Sequence, residues 1–290
     1  MTDTALSGSS SGQKRRKLGG LLLIGPPLLY LLVFLVIPYG EIVVYSFWKA
    51  DLYAIARDFN LGNYARIIEN PLYRQVIWNS LSTAGLVTVF SLLVGYPLAF
   101  YLAFVATRHR QLLYFLIVIP LLTSFLLRAY TWKIILGRSG LVNSTLQALG
   151  LTDAPVDIFL YNQFSVVLTL VYIFVPFVTL PIYASLEKLS RDQLEASLDL
   201  GARPLTTFLR IILPLSTPGI VAGCTFAFAL SFGDFVAPTL LGGPNQIMIA
   251  NVIISQFGTA FDWPFGSALA IVVLLIVLGV VTIGSRIERR

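Results

Sequence analysis

Apolar residues run along this chain in long blocks, and short polar stretches separate them. A helix drawn through such a block is apolar on every face, unlike the one-sided helices of soluble domains. Crossing ~30 Å of hydrocarbon takes about 20 apolar residues. By that rule the chain carries six spans, at 20–40, 79–105, 112–134, 165–186, 216–239 and 264–285. The expected fold is an all-α membrane protein with six transmembrane helices. Two polar connections are sizeable, Glu41 to Arg74 and Arg138 to Gln163. Ahead of the first span, residues 1–13 are small and polar, and Lys14-Arg15-Arg16-Lys17 follows. Residues 1–19 therefore read as a disordered tail and 20–290 as one transmembrane domain. A basic cluster before an apolar run also opens a signal peptide. The run from Leu18 to Gly40 is too long for a signal core, however, and no small-x-small cleavage site follows Pro38.

Prolines 26, 27, 97, 120, 176, 181 and 238 fall in or near the spans. Each releases backbone hydrogen bonds that neighbours or a watered path must satisfy, which argues against a static bundle. Charge sets the orientation. With both termini cytoplasmic, the inner segments 1–19, 106–111, 187–215 and 286–290 hold 13 of the 20 Lys and Arg residues. Positive charge stays on the cytoplasmic side, so the polar interruption at 187–215 faces the cytoplasm.

That interruption contains Glu195-Ala196-Ser197-Leu198-Asp199-Leu200-Gly201-Ala202-Arg203-Pro204 and runs on to Leu213-Pro214. Arg191, Glu195 and Asp199 recur every four residues and share one helical face. Gly201 stands where a helix end favours positive φ, and Pro204 suits the first turn of the next helix. Pro214 marks a change of direction. Two short helices joined at a glycine make a docking finger too small for its own core. An ordinary amphipathic loop between spans is the plainer reading of the same residues.

The spacing resembles the EAA signature of permeases from ATP-driven importers. Glu195-Ala196, a Gly five positions after Ala196, nine further residues and Ile211-x-Leu213-Pro214 match it, and Ser197 replaces the second Ala. Further stretches resemble the spermidine/putrescine permeases of that family: Leu126-Leu127-Arg128-Ala129-Tyr130-Thr131-Trp132, Gly140-Leu141-Val142-Asn143, Gly233-Asp234-Phe235-Val236-Ala237-Pro238 and Asp262-Trp263-Pro264-Phe265-Gly266. The likeness extends from about Asn63 to the C-terminus. It implies a multi-pass protein of the bacterial cytoplasmic (inner) membrane, surrounded by membrane lipid. It implies three kinds of protein partner: a second permease (a paralogue), two ATPase subunits holding ATP and Mg, and an extracytoplasmic solute-binding protein; within this chain it implies a cytoplasmic coupling helix between spans 4 and 5 that meets the ATPase. The coupling residues are then Arg191, Glu195, Ala196, Ser197, Asp199, Gly201, Ala202, Arg203, Leu213 and Pro214.

Composition narrows the remaining chemistry. At 57% hydrophobic and 12% charged residues, with a mean hydropathy of +0.82, the chain is no ordinary soluble protein. Cys224 is the single cysteine and His109 the single histidine, so neither a disulfide framework nor the usual zinc cluster is expected. The net charge of +6 is scattered between apolar spans, which fits a membrane and not a nucleic acid. No lysine follows a glycine, so there is no P-loop, and no G-x-S-x-G or paired catalytic acids appear. The chain is expected to be no enzyme and to bind no cofactor itself; energy for uphill transport must arrive through a contact.

Lys133 marks the outer edge of the third predicted span, and two charged residues lie deeper, Arg128 in the third and Asp234 near the outer end of the fifth. Buried charges face a bundle interior or an aqueous path. Counting 17 residues from Gln111 and 18 from Ser216 along straight helices puts both at about 26 Å from the inner face. They either pair with each other for structural reasons or meet a solute. In the second case Asp234 contacts an organic cation, with Tyr130, Trp132, Phe232 and Phe235 adding cation–π contacts; span-end aromatics otherwise serve as interface anchors. The leading function is an alternating-access permease for a small organic cation such as a polyamine. An ion-coupled secondary transporter is the alternative, although the inverted repeat common in that class is not seen. A membrane enzyme is the third reading.

Overall fold

The computed structural model describes residues 24–50, 55–106, 108–189, 197, 199 and 201–288. Arg191, Glu195 and Ala196 of the finger, and the tail 1–19, lie outside the described residues.

Five helices are long and apolar enough to cross a bilayer: α1 (Ile24–Ser46), α3 (Pro71–Val105), α7 (Gln163–Leu186), α8 (Pro204–Phe232) and α11 (Trp263–Glu288). Between them lie the short helices α2 (Gly62–Glu69), α6 (Leu141–Ala148), α9 (Val236–Leu241) and α10 (Ile249–Gly258), and a two-stranded antiparallel hairpin. The hairpin joins β1 (Lys49–Ala50) to β2 (Ile55–Ala56), pairing Lys49 with Ala56. The predicted span 112–134 is different. It is divided into α4 (Arg110–Leu122) and α5 (Phe125–Leu136), and the direction turns by 97° between α4 and the stretch Phe125–Ala148 that α5 opens. The bundle thus has six spans only if this bent pair counts as one.

The bend has a local cause. Pro120 supplies no amide, so α4 tightens into a 3₁₀ turn at Ile119–Leu122, and Thr123 (ψ 152°) and Ser124 (ψ 132°) leave the helical region. Thr123 Oγ1 donates to the Pro120 carbonyl at 2.7 Å, and α5 restarts with the Arg128 amide on the Ser124 carbonyl. At Pro214 the chain does not leave the helix: α8 continues through it as one span. A π-turn at Phe208–Ile212 precedes it, with the Leu213 amide reaching back to Phe208. The wider turn spares the proline ring a clash with the preceding turn. The same pairing of π-turn and proline occurs in α1, at Leu32–Val36 and Pro38.

At the centre α3, α7 and α8 pack face to face, and glycine sets how closely. Gly219 and Gly223 of α8 form a G-x-x-x-G ridge against α7. A Cβ on Gly219 would stand 2.5 Å from the Pro181 carbonyl oxygen and 2.8 Å from Ile182 Cα. One on Gly223 would meet Val178 Cα at 2.9 Å, and one on Gly95 of α3 would meet Thr179 Oγ1 at 3.0 Å. Leu170, Ile173, Val178, Ile182 and Leu186 of α7 are fully buried in this seam. A second apolar cluster joins Tyr73 and Val76 of α3, Phe228 and Phe232 of α8, Ile249 of α10, and Phe265 and Leu269 of α11. α1 lies outside the trio, and its helix packing is chiefly against α11. Phe34, Leu93, Leu116 and Leu275 face outward, as lipid-facing positions should.

Side-chain hydrogen bonds fasten the ends. Asn63 donates to the carbonyls of Ser46 (3.0 Å) and Trp48 (2.8 Å), tying α2 to the end of α1. Arg66 donates to Asp262 at 2.9 Å and lies 4.0 Å from the centre of the Phe265 ring. Asp262 Oδ1 also accepts from the Phe265 amide, so one carboxylate caps α11 and holds α2. Asn143, fully buried, exchanges bonds with the amide and carbonyl of Val156 and donates to the Gly137 carbonyl, closing the loop around α6.

Candidate functional site

Two regions gather the residues singled out from the sequence. The first is the end of the polar finger. Ser197 and Asp199 are helical, and Gly201 turns with φ +78°. The Ala202 amide donates to the Ser197 carbonyl at 3.1 Å, the long bond of a helix end closed by a left-handed residue. Nothing lies within 4 Å of a Cβ built on Gly201, so the dihedral angle, not crowding, calls for glycine there. Arg203 is extended (ψ 149°) and opens α8 at Pro204, as the spacing predicts. The Ser197 and Thr207 hydroxyls meet at 3.0 Å and are buried, so the residue that departs from the EAA pattern fastens the finger to the first turn of α8. Asp199, Arg203 and Pro214 are exposed, while Leu213 is half-buried.

Just before the finger, α7 is anchored by a group that sequence reasoning missed. Arg110 of α4 donates to Glu187 Oε1 (2.5 Å) and to the Tyr183 hydroxyl, and that hydroxyl donates to the same carboxylate oxygen at 3.1 Å. The partners are 73 and 77 residues apart, so no local pattern announces them.

The second region lies within the membrane. Asp234 is not in a helix: α8 ends at Phe232, and Gly233 and Asp234 form a break before α9. Its carboxylate accepts from the backbone amides of Ala237 (2.9 Å) and Val236 (3.4 Å), so it caps α9, and it is buried. Across from it a cavity of about 340 Å³ opens between α5, α7 and the α8–α9 break. Arg128 and Asp234 both line it, with Phe125, Phe174, Phe177 and Phe235. Of the two alternatives, the ion pair does not form between these two described residues. The ion pairs among the described residues are Arg66–Asp262, Arg110–Glu187 and Arg138–Asp157. Arg128 Nε and Nη1 are buried without a hydrogen-bond partner, and its guanidinium lies 6.0 Å from the Phe125 ring centre.

The straight-helix depth count fails for Arg128, because the 97° bend precedes it. The shared vestibule stands nonetheless. Of the aromatics expected to flank Asp234, Phe235 does line the cavity. Phe232 is fully buried against Phe228 (5.5 Å between ring centres) and borders an apolar groove on the other side. Trp132 packs edge-on against Tyr172, and Tyr130 is exposed. The cavity's other aromatic walls, Phe125 and the α7 pair Phe174–Phe177, are single rings in largely apolar surroundings and carry no distinguishing signal in the sequence.

Several apolar spans, a close-packed central trio and a cavity among them that carries one acid and one base define a multi-pass membrane protein. The chain belongs to the family described as binding-protein-dependent transport system inner membrane component, which matches residues 88–289. It is a protein of the bacterial inner membrane.

Among relatives, the spermidine/putrescine transport system permease protein PotB of Haemophilus influenzae is 42% identical over 245 residues, covering 83% of this chain and 84% of that one. PotB of Escherichia coli K12 is 41% identical over 251 residues, covering 86% and 90%. The inner membrane ABC transporter permease protein YdcU of the same organism is 33% identical over 274 residues, covering 89% and 85%. In fold, a bacterial ABC transporter importing the acidic polysaccharide alginate superposes with a TM-score of 0.78 at 19% identity, over 97% of this chain and 98% of that one. The MetNI methionine ABC transporter, inward facing, gives 0.54 at 17% identity, over 74% and 93%.

Proposed function

We propose that this chain is a permease subunit of an ATP-driven importer and carries a polyamine, spermidine or putrescine, through alternating access. The observation that supports it most is the 41–42% identity to spermidine/putrescine permeases along more than four-fifths of both chains. The cavity agrees with that solute: a buried carboxylate, Asp234, beside Phe235 and the α7 aromatics is the lining an organic ammonium group prefers. Both termini and the finger face the cytoplasm in this reading, on the strength of the Lys and Arg bias.

The working assembly pairs this chain with a second, paralogous permease and two ATPase subunits, and an extracytoplasmic binding protein delivers the solute. ATP and Mg reside on the ATPase subunits. The finger from Arg191 to Arg203 docks in a groove on one of them, the helix-in-groove mode. Its motion then passes directly into α8 through the Ser197–Thr207 bond and Pro204. The spans move between outward-open and inward-open packings as the ATPases close.

The test uses the four-subunit complex purified with its binding protein. Gly201→Val forces a β-branched residue to φ +78°, costing ~1 kcal/mol or more at the finger's turn. Glu195→Ala removes a charge from the docking face. Both are expected to lose ATPase association or spermidine-stimulated hydrolysis, with membrane insertion intact. Normal coupled uptake in both variants refutes the docking role. Full transport by this chain without any ATPase subunit refutes the importer reading altogether.

A further inference from the structure

The Arg128 guanidinium is the observation the transport reading does not absorb. A cation-importing path gains nothing from a fixed positive charge on its wall, and two buried guanidinium nitrogens without partners, on a half-buried arginine, are a costly arrangement. The acid that shares its cavity is Asp234. Two backbone amides hold that carboxylate, and its remaining lone pairs are left for a cation. Each member of the pair sits beside a helix break. Arg128 is in the first turn of α5, directly after the 97° bend, and Asp234 is in the gap between α8 and α9. A small rotation of either short helix changes their separation without disturbing the glycine-packed trio.

We propose that Arg128 is a tethered rival of the solute for Asp234. With the cavity empty and the flanking helices closed, the guanidinium pairs with the carboxylate. A solute ammonium must displace it to bind, and its return helps expel the solute. The structure captures the pair apart with the cavity open between them. This role rests on the reading of Asp234 as the solute contact. It makes Arg128 a specificity-determining residue: a neutral molecule of the same shape cannot replace the guanidinium on the carboxylate. It also keeps the intramembrane site weak, which a path that must release its cargo requires.

Equilibrium binding of radiolabelled spermidine to the purified four-subunit complex in lipid nanodiscs, without the binding protein, tests it alongside maximal uptake in proteoliposomes. Removing the rival in Arg128→Gln is expected to tighten spermidine binding about tenfold, within the usual range of coupling between two competing interactions. Maximal uptake is expected to fall at the same time. Arg128→Lys keeps a charge but loses the planar fork that suits a carboxylate, so a smaller tightening is expected. It decides the matter if the Gln variant does not assemble. Unchanged or weaker binding in these variants overturns the rivalry. So does recovery of both assembly and uptake in the double variant Arg128→Gln, Asp234→Asn, since the pair would then serve packing alone. Asp234→Asn separates the two levels. If it binds spermidine normally, the solute reading of the cavity fails. If it loses binding while Arg128→Gln shows no tightening, only the rivalry fails.

Discussion

Replacing Gly219 by alanine inserts one methyl group where α7 and α8 are closest. Its nearest neighbours would be the Pro181 carbonyl oxygen at 2.5 Å, Ser185 Oγ at 2.6 Å and Ile182 Cα at 2.8 Å. Ordinary contact begins at 3.4 Å, so the Pro181 oxygen is about 0.9 Å too near. Two of the three neighbours are backbone, which cannot rotate away. The helices must separate, and overpacking of this kind costs about 1–3 kcal/mol. Alanine's better helix propensity returns only up to ~1 kcal/mol. The net expectation for Gly219→Ala is a loss of about 1–2 kcal/mol. At Gly223 the nearest atoms stand at 2.9 and 3.0 Å, so the same change should cost less. At Gly95 the first obstacle is a threonine hydroxyl, which can turn, so the effect should be near zero. Gly85 and Gly279 have nothing within 4 Å and should gain stability or stay level.

Cys224 supplies the assay, because it is the single thiol, is half-buried and adjoins Gly223. A fluorogenic maleimide followed during heating reports when the α7–α8 seam opens. The expected order of midpoints, lowest first, is Gly219→Ala, Gly223→Ala, Gly95→Ala, then wild type with the two controls. Equal midpoints for Gly219→Ala and Gly85→Ala refute the idea that backbone approach at this crossing limits stability.

Two further outcomes follow from the ends of the bundle. Arg66→Ala removes an ion pair with Asp262 that is partly exposed and a cation–π contact with Phe265. The expected loss is about 1–2 kcal/mol, shrinking in high salt, and thermal melts at two ionic strengths check it. Asn143→Ala leaves the Val156 amide without its 2.8 Å acceptor in a buried loop. A local cost of about 1–3 kcal/mol should appear as faster proteolytic nicking between Gly137 and Asp157, and unchanged nicking rates count against it.

Where a span is simply a long apolar run, the sequence reports it closely: 165–186 against Gln163–Leu186, and 264–285 against Trp263–Glu288. Pro120, Thr123 and Ser124 lie within apolar flanks, so hydropathy runs smoothly through the third span and hides the bend inside it. The expected fifth span, 216–239, starts late and overruns the end of the helix, which is Pro204–Phe232. Polar residues hide its start at Pro204, although a π-turn carries the helix through Pro214, and Gly233 ends it before Asp234. The pairing of Arg128 and Asp234 in one space was legible because rare charges in apolar surroundings stand out. Their separation was not, since it depends on α9 offering its amides to Asp234. Contacts between residues far apart in sequence, such as Arg66–Asp262 and Gly219–Pro181, come from tertiary geometry and leave no periodic trace.

The attachment of α1 to α11 has a consequence for biogenesis. α1 finds its chief helical neighbour in α11, which is synthesised long after it. Ser46 and Trp263 are separated by 217 positions (263 − 46), and synthesis at about 5–20 residues per second leaves α1 waiting on the order of 10–40 s. During that interval its apolar surface is served by lipid or by the insertion machinery. The α3–α7–α8 trio, in contrast, can close before translation ends, so the seam between the two ends of the chain is the last to form.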